Sequence, residues 1–340
     1  MEIIRIPQIP INPVNITRAA HAEIRITDLD RARTFYVDTL GMLESHRESE
    51  GRLYLRGLEE RDMYSLVLKK AKSPGLNHIA FRVTNLRALH NIAALYRNHN
   101  LSTFWVNPTF CGFGQGLSLR VQGPDGIPVE FYYQMEQREC FLHRYDLYRG
   151  ANIMRIDHFN CQVNDVKAVS DWWMKKLNFY LSEYTVTDDE KDLWAVWLHR
   201  KQNVHDIAFM KGIGPRFHHV GFWVKDEMSI LRACDILASK GMQNAIERGP
   251  GRHGISNAFF LYLRDPDGNR IELFTGDYMI PDPDFEPIKW KLNDPRRATF
   301  WGHEAPRSWF EEASLVEDIN TGKFIPTREP VLEGRPSHLT

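Results

Sequence analysis

Four times along the chain, apolar and polar positions alternate in the same order of periods. A strand with period 2 opens each unit, as in "AEIRIT" and "HFNCQV". A turn carrying Asn or Asp follows, and then an amphipathic stretch with helical period, as in "DLDRARTFYVDTLG", where Gly41 suits a left-handed helix stop. Further strands close the unit, among them "GRLYLRG", "LSLRVQ", "LWAVWLH" and "AFFLYLRD". The pattern predicts an α+β protein of four βαβββ modules. Two modules paired edge to edge form a curved sheet around a cavity, lined by alternate strand residues.

The modules also repeat in chemistry. Aligning "RAAHAEIRITDL" with "RIDHFNCQVNDV" puts His21 on His158. Aligning "LNHIAFRVTN" with "FHHVGFWVKD" puts His78 on His219, and "GPDGIPVEFYY" with "DPDGNRIELFT" puts Glu130 on Glu272. A Pro-Asp-Gly turn precedes both glutamates. The first half, residues 18–135, is therefore a duplicate of the second, residues 155–276. Residues 1–17 form an N-terminal extension, and 136–154 a connector. From 277 to 340 the chain is rich in Pro, Asp and Trp, poor material for regular structure but suited to a segment laid over a surface; from about Ile319 it is expected to be weakly ordered.

Composition narrows the class. The chain has 340 residues, 43% apolar and 26% charged, with a formal net charge of −1, as in an ordinary soluble globular protein. Nothing in that balance calls for nucleic acid or an anionic membrane, and no apolar run has the length of a membrane span. The start, "MEIIRIPQIPINPVNI", is interrupted by prolines and lacks the pattern of a secretory signal. Cys111, Cys140, Cys161 and Cys234 are scattered without a CxxC pair, which favours reduced thiols in a cytoplasmic protein over a disulfide framework or a cysteine zinc site.

His158, His219 and Glu272 each lie in a predicted strand of the second half. Two imidazoles and one carboxylate can occupy one face of a metal and leave positions open for substrate and oxygen, the arrangement of non-haem Fe(II) oxygenases. A lone strand histidine is more often a satisfied polar residue; the recurrence of the set is what favours a ligand role. His219 is preferred to its neighbour His218 because the repeat aligns it with His78, which leaves His218 a supporting or packing role. Glu272, between Ile271 and Leu273, needs a partner if it is buried. The glycine-rich "IERGPGRHGISNAF" lacks the Lys-Ser/Thr ending and the following helix of a phosphate loop, and suits a substrate-facing segment.

The module repeat and the His-His-Glu pattern resemble the vicinal-oxygen-chelate superfamily. Within it, "IDHFN", "HRKQNVHD", "GPRFHHVGF", "IERGPGRHGISNAF" and "DPDGNRIELFT" resemble the type I extradiol catechol dioxygenases, in particular members that cleave 3,4-dihydroxyphenylacetate (homoprotocatechuate). The resemblance implies ring cleavage beside the diol by O2, giving a muconic semialdehyde. It implies Fe(II), or Mn(II) in some members, a homotetramer, and catalysis in the second half alone. It further implies that His158, His219 and Glu272 hold the metal, with His205 as acid–base histidine. Asn160, Trp197, His253 and Tyr262 would be pocket residues, with Tyr262 and His253 assisting catalysis. Arg248 and Arg297 would grip a substrate carboxylate, although the spacing after Arg297 differs by one residue from the family pattern. An extradiol dioxygenase for another substituted catechol is the nearest alternative, and a glyoxalase-like isomerase without a redox metal and a binding module without activity are the two other classes open to this scaffold.

In the first half, His21, His78 and Glu130 keep the ligand pattern, but the surrounding positions differ. Arg120 stands where the second half has Tyr262, Cys111 where it has His253, Tyr64 where it has His205, and Glu23 where it has Asn160. A second metal site and a relic of the duplication are the two readings; the expectation is a relic without catalysis, with Arg120 neutralising Glu130 or Glu23, and metal binding there is left open.

Overall fold

The computed structural model describes residues 14–49 and 51–327. The first half contains β1 (Ile16–Ile26), α1 (Leu29–Arg33), β2 (Leu43–Arg47), β3 (Arg52–Arg56) and β4 (Leu66–Lys70), then β5 (Gly75–Val83), α2 (Leu86–Asn98), β6 (Thr103–Val106), β7 (Ser118–Gln122) and β8 (Pro128–Tyr132). The second half repeats the order with β9 (Ile153–Val163), α3 (Val166–Lys175), β10 (Tyr180–Val186), β11 (Leu193–His199) and β12 (Ile207–Lys211), then β13 (Arg216–Val224), α4 (Glu227–Ser239), β14 (Ile246–Arg252), β15 (Phe259–Arg264) and β16 (Arg270–Thr275). Each module is βαβββ, as the periodicity predicts.

In each half the first strands of two modules pair antiparallel at the centre, β1 with β5 and β9 with β13, and each pairs in parallel with the last strand of its own module. The result is an eight-stranded sheet, β2-β3-β4-β1-β5-β8-β7-β6, and a larger one, β14-β15-β16-β13-β9-β12-β11-β10, extended beside β10 by a strand from beyond the modules, Ile288–Lys291. Helix starts follow the chemistry that the sequence shows. Asn85, Asp165 and Asp226 each accept a hydrogen bond from a backbone N–H of the first turn through the side chain. One helix departs from expectation: after Arg33 the stretch Thr34–Thr39 widens into a π turn, with Leu40 N–H donating to Phe35 O. Gly41 then adopts a φ of +84°, and a Cβ there would lie 2.2 Å from Arg149 O, so only glycine fits.

One apolar core runs through both halves. Phe81 packs on Phe131 of its own half and on Phe159, Trp173 and Phe179 of the other. The Pro-Asp-Gly turns lock the halves reciprocally. Trp173 Nε1 donates to Asp125 Oδ2 at 2.6 Å, and Thr27 N donates to Asp267 Oδ2 at 2.8 Å.

Beyond Thr275 the chain packs against the second half and is more regular than its composition suggests. It contributes β17 (Ile288–Lys291), which extends the sheet beside β10, α5 (Pro295–Ala298), α6 (Arg307–Glu311) and β18 (Ser314–Leu315), which pairs with β13. The expectation of weak order from Ile319 is corrected for residues 319–327. Ile319 N donates to Gln122 Oε1, Arg25 covers the Phe324 ring at 4.4 Å, and Arg216 donates to Thr327 Oγ1. Such long-range bonds to side chains leave no trace in local composition. Residues 328–340 and 1–13 lie outside the described residues. All four cysteines are free thiols. Among the described residues no helix is long and apolar enough to cross a membrane.

Candidate active site

Three adjacent central strands of the larger sheet deliver the triad. His158 on β9 lies opposite Gly221 of β13, which in turn lies beside Glu272 on β16. A Cβ at Gly221 would meet His158 Cε1 at 2.2 Å, so the missing side chain is what lets the imidazole lie across β13. His219 enters from β13 itself. Its Nε2 stands 3.3 Å from His158 Nε2 and 3.1 Å from Glu272 Oε2, and His158 Nε2 is 3.0 Å from the same oxygen. All three residues are buried.

Each imidazole is oriented from behind. Asp157 Oδ2 lies 3.1 Å from His158 Nδ1, and Asn203 Nδ2 donates to the other Asp157 oxygen. His219 Nδ1 is 2.6 Å from His218 Nδ1, while His218 Nε2 is 2.7 Å from the Trp309 carbonyl. That carbonyl can only accept, so a neutral His218 carries its proton on Nε2 and offers Nδ1 as acceptor. His219 must then hold its proton on Nδ1, which leaves the Nε2 lone pair toward Glu272. A bulge makes this contact: between Phe217 and His219 two residues of β13 oppose one step of β9. His218 is thus buried against its neighbour.

Electrostatics fit a metal-ligand set. Burial opposes ionisation of Glu272, but the hydrogen bond from His158 and the close imidazoles of His219 and His253 hold its carboxyl well below the ordinary range. Burial disfavours a charged His158, but the bonds to Asp157 and Glu272 outweigh it and raise the imidazole to about 9, so a metal ion would take the place of its Nε2 proton. Burial lowers His219 to about 4, leaving a neutral nitrogen donor. Two nitrogens and a carboxylate converging in this way match the donor set of a divalent metal.

Around the triad lies a cavity bordered by Asn160, Trp197, His205, Arg248, His253, Tyr262 and Arg297, every position that the resemblance implies. His205, on the loop between β11 and β12, places its ring centroid 4.0 Å from that of His158. Burial, and then the neighbouring His158, keep it well below its usual pKa and hence neutral. Lys201 fixes the loop by donating to His205 O and Asp157 O. His253 Nδ1 is 2.5 Å from Ala298 O and its Nε2 3.1 Å from Tyr262 OH, so a neutral His253 receives the tyrosine proton.

Arg248 and Arg297 share the far wall. Arg248 donates through Nη2 to Ala298 O and Thr299 Oγ1, while its buried Nε and Nη1 have no protein partner. Arg297 donates through Nε to Leu292 O; burial, and then Arg248, lower it to about 10. Among the described residues neither guanidinium has an ion pair with a carboxylate. The Asn160 Oδ1 and His205 Nδ1 atoms are likewise buried without partners.

Other residues noted in the sequence stand apart. His199 donates from Nδ1 to Lys201 O, and Arg252 reaches Asn257 O and Glu227. Sequence reasoning missed Trp194, Ile255, Ser256, Trp309 and Phe310 on the cavity wall. It also passed over Asp157, which its place beside His158 could have marked.

The first-half triad is also brought together, with His21, His78 and Glu130 buried. Arg120 Nε donates to Glu130 Oε2 at 2.8 Å, the neutralising role expected of it.

Comparison with known proteins agrees with this architecture. The Glyoxalase/Bleomycin resistance protein/Dioxygenase superfamily model matches residues 18–131 and 155–273. A manganese-dependent 2,3-dihydroxybiphenyl 1,2-dioxygenase of Geobacillus genomosp. 3 is 31% identical over 299 residues, 84% of this chain and 93% of that one. A metapyrocatechase of Pseudomonas sp. (strain CF600) is 30% identical, covering 84% of this chain and 94% of its own. The chain belongs to this superfamily. Its function within the superfamily is that of the extradiol catechol dioxygenases. Among solved structures, a homoprotocatechuate 2,3-dioxygenase from Brevibacterium fuscum, in complex with 3,4-dihydroxyphenylacetate, superposes with a TM-score of 0.89 at 39% identity, covering 94% of this chain and 99% of that chain. The corresponding enzyme from Arthrobacter globiformis gives 0.89 at 40%, covering 94% and 98%. These relatives set aside the isomerase and binding-module alternatives.

Proposed function

We propose that the enzyme cleaves a catechol bearing a carboxylate side chain, with 3,4-dihydroxyphenylacetate as the leading substrate. The observation that carries this reading is the pair Arg248 and Arg297: two buried guanidiniums in one cavity, neither ion-paired to a carboxylate among the described residues, with buried Arg248 donors to spare. Such a wall is costly without an anion and suits bidentate recognition of a carboxylate. The likeness to homoprotocatechuate 2,3-dioxygenases of known structure supports the same substrate.

His158, His219 and Glu272 would hold Fe(II), with Mn(II) as the alternative that the same donors accept. The bound ion supplies acidification of the diol hydroxyls and activation of O2. The protein's own groups handle protons and orientation. Tyr262, whose proton points to His253 Nε2, presents its oxygen to the cavity and can take a hydroxyl proton while passing its own to His253. His205, uncharged beside His158 and with its Nδ1 unpartnered, is the acid–base group. Asn160 offers its unsatisfied Oδ1, and Trp197 helps to enclose the ring. The product would be a muconic semialdehyde. We further propose a homotetramer acting in the cytoplasm, on the family resemblance; exposed Phe104, Trp105 and Phe110 provide apolar surface for assembly.

The test is oxygen uptake on homoprotocatechuate, protocatechuate and catechol, with metal content measured on the same sample. Homoprotocatechuate should be preferred. Arg248→Leu and Arg297→Leu should each raise its KM by about tenfold or more, the loss of a charge-assisted bond of about 1.5–3 kcal/mol, while catechol changes little. Equal losses on both substrates would assign the arginines a structural role.

A further inference from the structure

The triad of the first half repeats the catalytic geometry in one respect and departs from it in another. His21 Nε2 and His78 Nε2 stand 3.3 Å apart, the same separation as in the catalytic pair. The rings cross at 83° in the first half and 82° in the second. Asn77 Oδ1 lies 2.7 Å from His78 Nδ1, so the residue before the second histidine orients it in both halves. The carboxylate differs. Glu130 Oε1 is 3.6 Å from His21 Nε2 and 3.7 Å from His78 Nε2, against 3.0 Å and 3.1 Å for the corresponding distances of Glu272.

The cause is visible. Arg120 Nε holds Glu130 Oε2 at 2.8 Å, and Gln115 Nε2 holds Oε1 at 2.6 Å. Tyr64 OH donates to Gln115 Oε1 and fixes that amide. Where Arg120 stands, the catalytic half has a neutral tyrosine, Tyr262, so no guanidinium competes there for the carboxylate. Two further features bear on a cation at this place. Buried Glu23 keeps an oxygen, Oε1, that accepts no hydrogen bond among the described residues and lies 3.5 Å from Lys69 Nζ. Buried His21 Nδ1 has no partner, because Ala20 stands where Asp157 backs His158.

We infer that His21, His78 and Glu130 form a latent divalent-metal site held shut by Arg120, whose guanidinium takes the carboxylate and supplies the positive charge that an ion would bring. Removing that charge leaves Glu130 buried and uncompensated beside two correctly spaced imidazole nitrogens. The donor set, two nitrogens and a carboxylate, suits Co(II), Zn(II), Mn(II) or Fe(II). The inference is independent of which catechol the enzyme cleaves.

Co(II) is the probe, supplied during expression and again at saturation before desalting. The wild-type chain is expected to hold one Co(II), and Glu272→Ala none. Combining Glu272→Ala with Arg120→Met should restore one Co(II) per chain, now in the first half. Its thermal midpoint should then rise with added Co(II), whereas that of Glu272→Ala stays fixed. Arg120→Lys in the same background keeps the charge and should bind none. Arg120→Gln replaces Arg120→Met should the latter precipitate. One Co(II) retained by Glu272→Ala would overturn the lock. An uncharged residue at 120 in a folded chain that still binds none would overturn the latent site. A wild-type chain without Co(II) would count against the catalytic centre instead.

Discussion

At the scale of single residues, the site is governed by which nitrogen of each imidazole carries a proton. Asp157 and His218 direct the Nε2 lone pairs of His158 and His219 inward, and His218 does so only because its own far nitrogen is committed to the Trp309 carbonyl. Partners of this kind tune metal affinity by about 10–100-fold. His218→Leu should therefore weaken metal binding within that range, measured by competition with a chelator, and His218→Asn should recover part of it, since Asn77 performs the task in the first half. Unchanged affinity in His218→Leu would reduce His218 to packing. The triad positions were legible because the duplication marked them twice. Their supports were not, since an accepting carbonyl from Trp309 and a bulge at His218 have no sequence period.

At the scale of elements, paired parallel and antiparallel strands set the triad, and one glycine permits it. Module order and strand positions were legible from periods of 2 and 3.6, and the structure reproduces them. The π turn after Arg33 was not, because the hydrophobic pattern of "FYVDTL" is shared by α and π geometry. The segment after Thr275 was underestimated for a different reason: β17 and α5 are held by hydrogen bonds to β10 and to Arg248, partners more than 40 residues away. Gly221 is the most exacting position. Gly221→Ala places a methyl at 2.2 Å from the His158 ring, which must swing out of the site. The variant should fold, with far-ultraviolet dichroism close to wild type, and lose its metal. Retention of stoichiometric metal would show that the ring has another place to lie.

At the scale of the whole molecule, the halves are bolted together through buried carboxyls. Asp125 meets Trp173, and Asp265 meets the Tyr36 hydroxyl across the same junction. Burial raises both carboxyls to about 6. Because the folded-state pKa lies above the unfolded value, their stabilising contribution is full below about pH 4 and is lost as pH rises through about 6. Asp125→Asn keeps an acceptor for the Trp173 indole but cannot ionise. Relative to wild type it should gain on the order of 2 kcal/mol between pH 4.5 and 7.5, read from urea midpoints. A difference that does not change with pH would show that Asp125 is solvated in solution. None of this junction was visible in the sequence beyond the shared Pro-Asp-Gly turn, whose reciprocal docking only the assembled halves reveal.

Under the proposed function, a metal held by His158, His219 and Glu272 supports extradiol cleavage, with His205 handling protons. The most direct measurement is metal content and oxygen uptake with homoprotocatechuate on the same anaerobically loaded preparations of wild type, Glu272→Gln and His205→Phe. The wild type should give a yellow ring-cleaved product with one O2 consumed per catechol, Glu272→Gln should lose both metal and turnover, and His205→Phe should retain metal with turnover slowed about 10²–10⁴-fold. Full metal occupancy with full turnover in Glu272→Gln would contradict the proposed function.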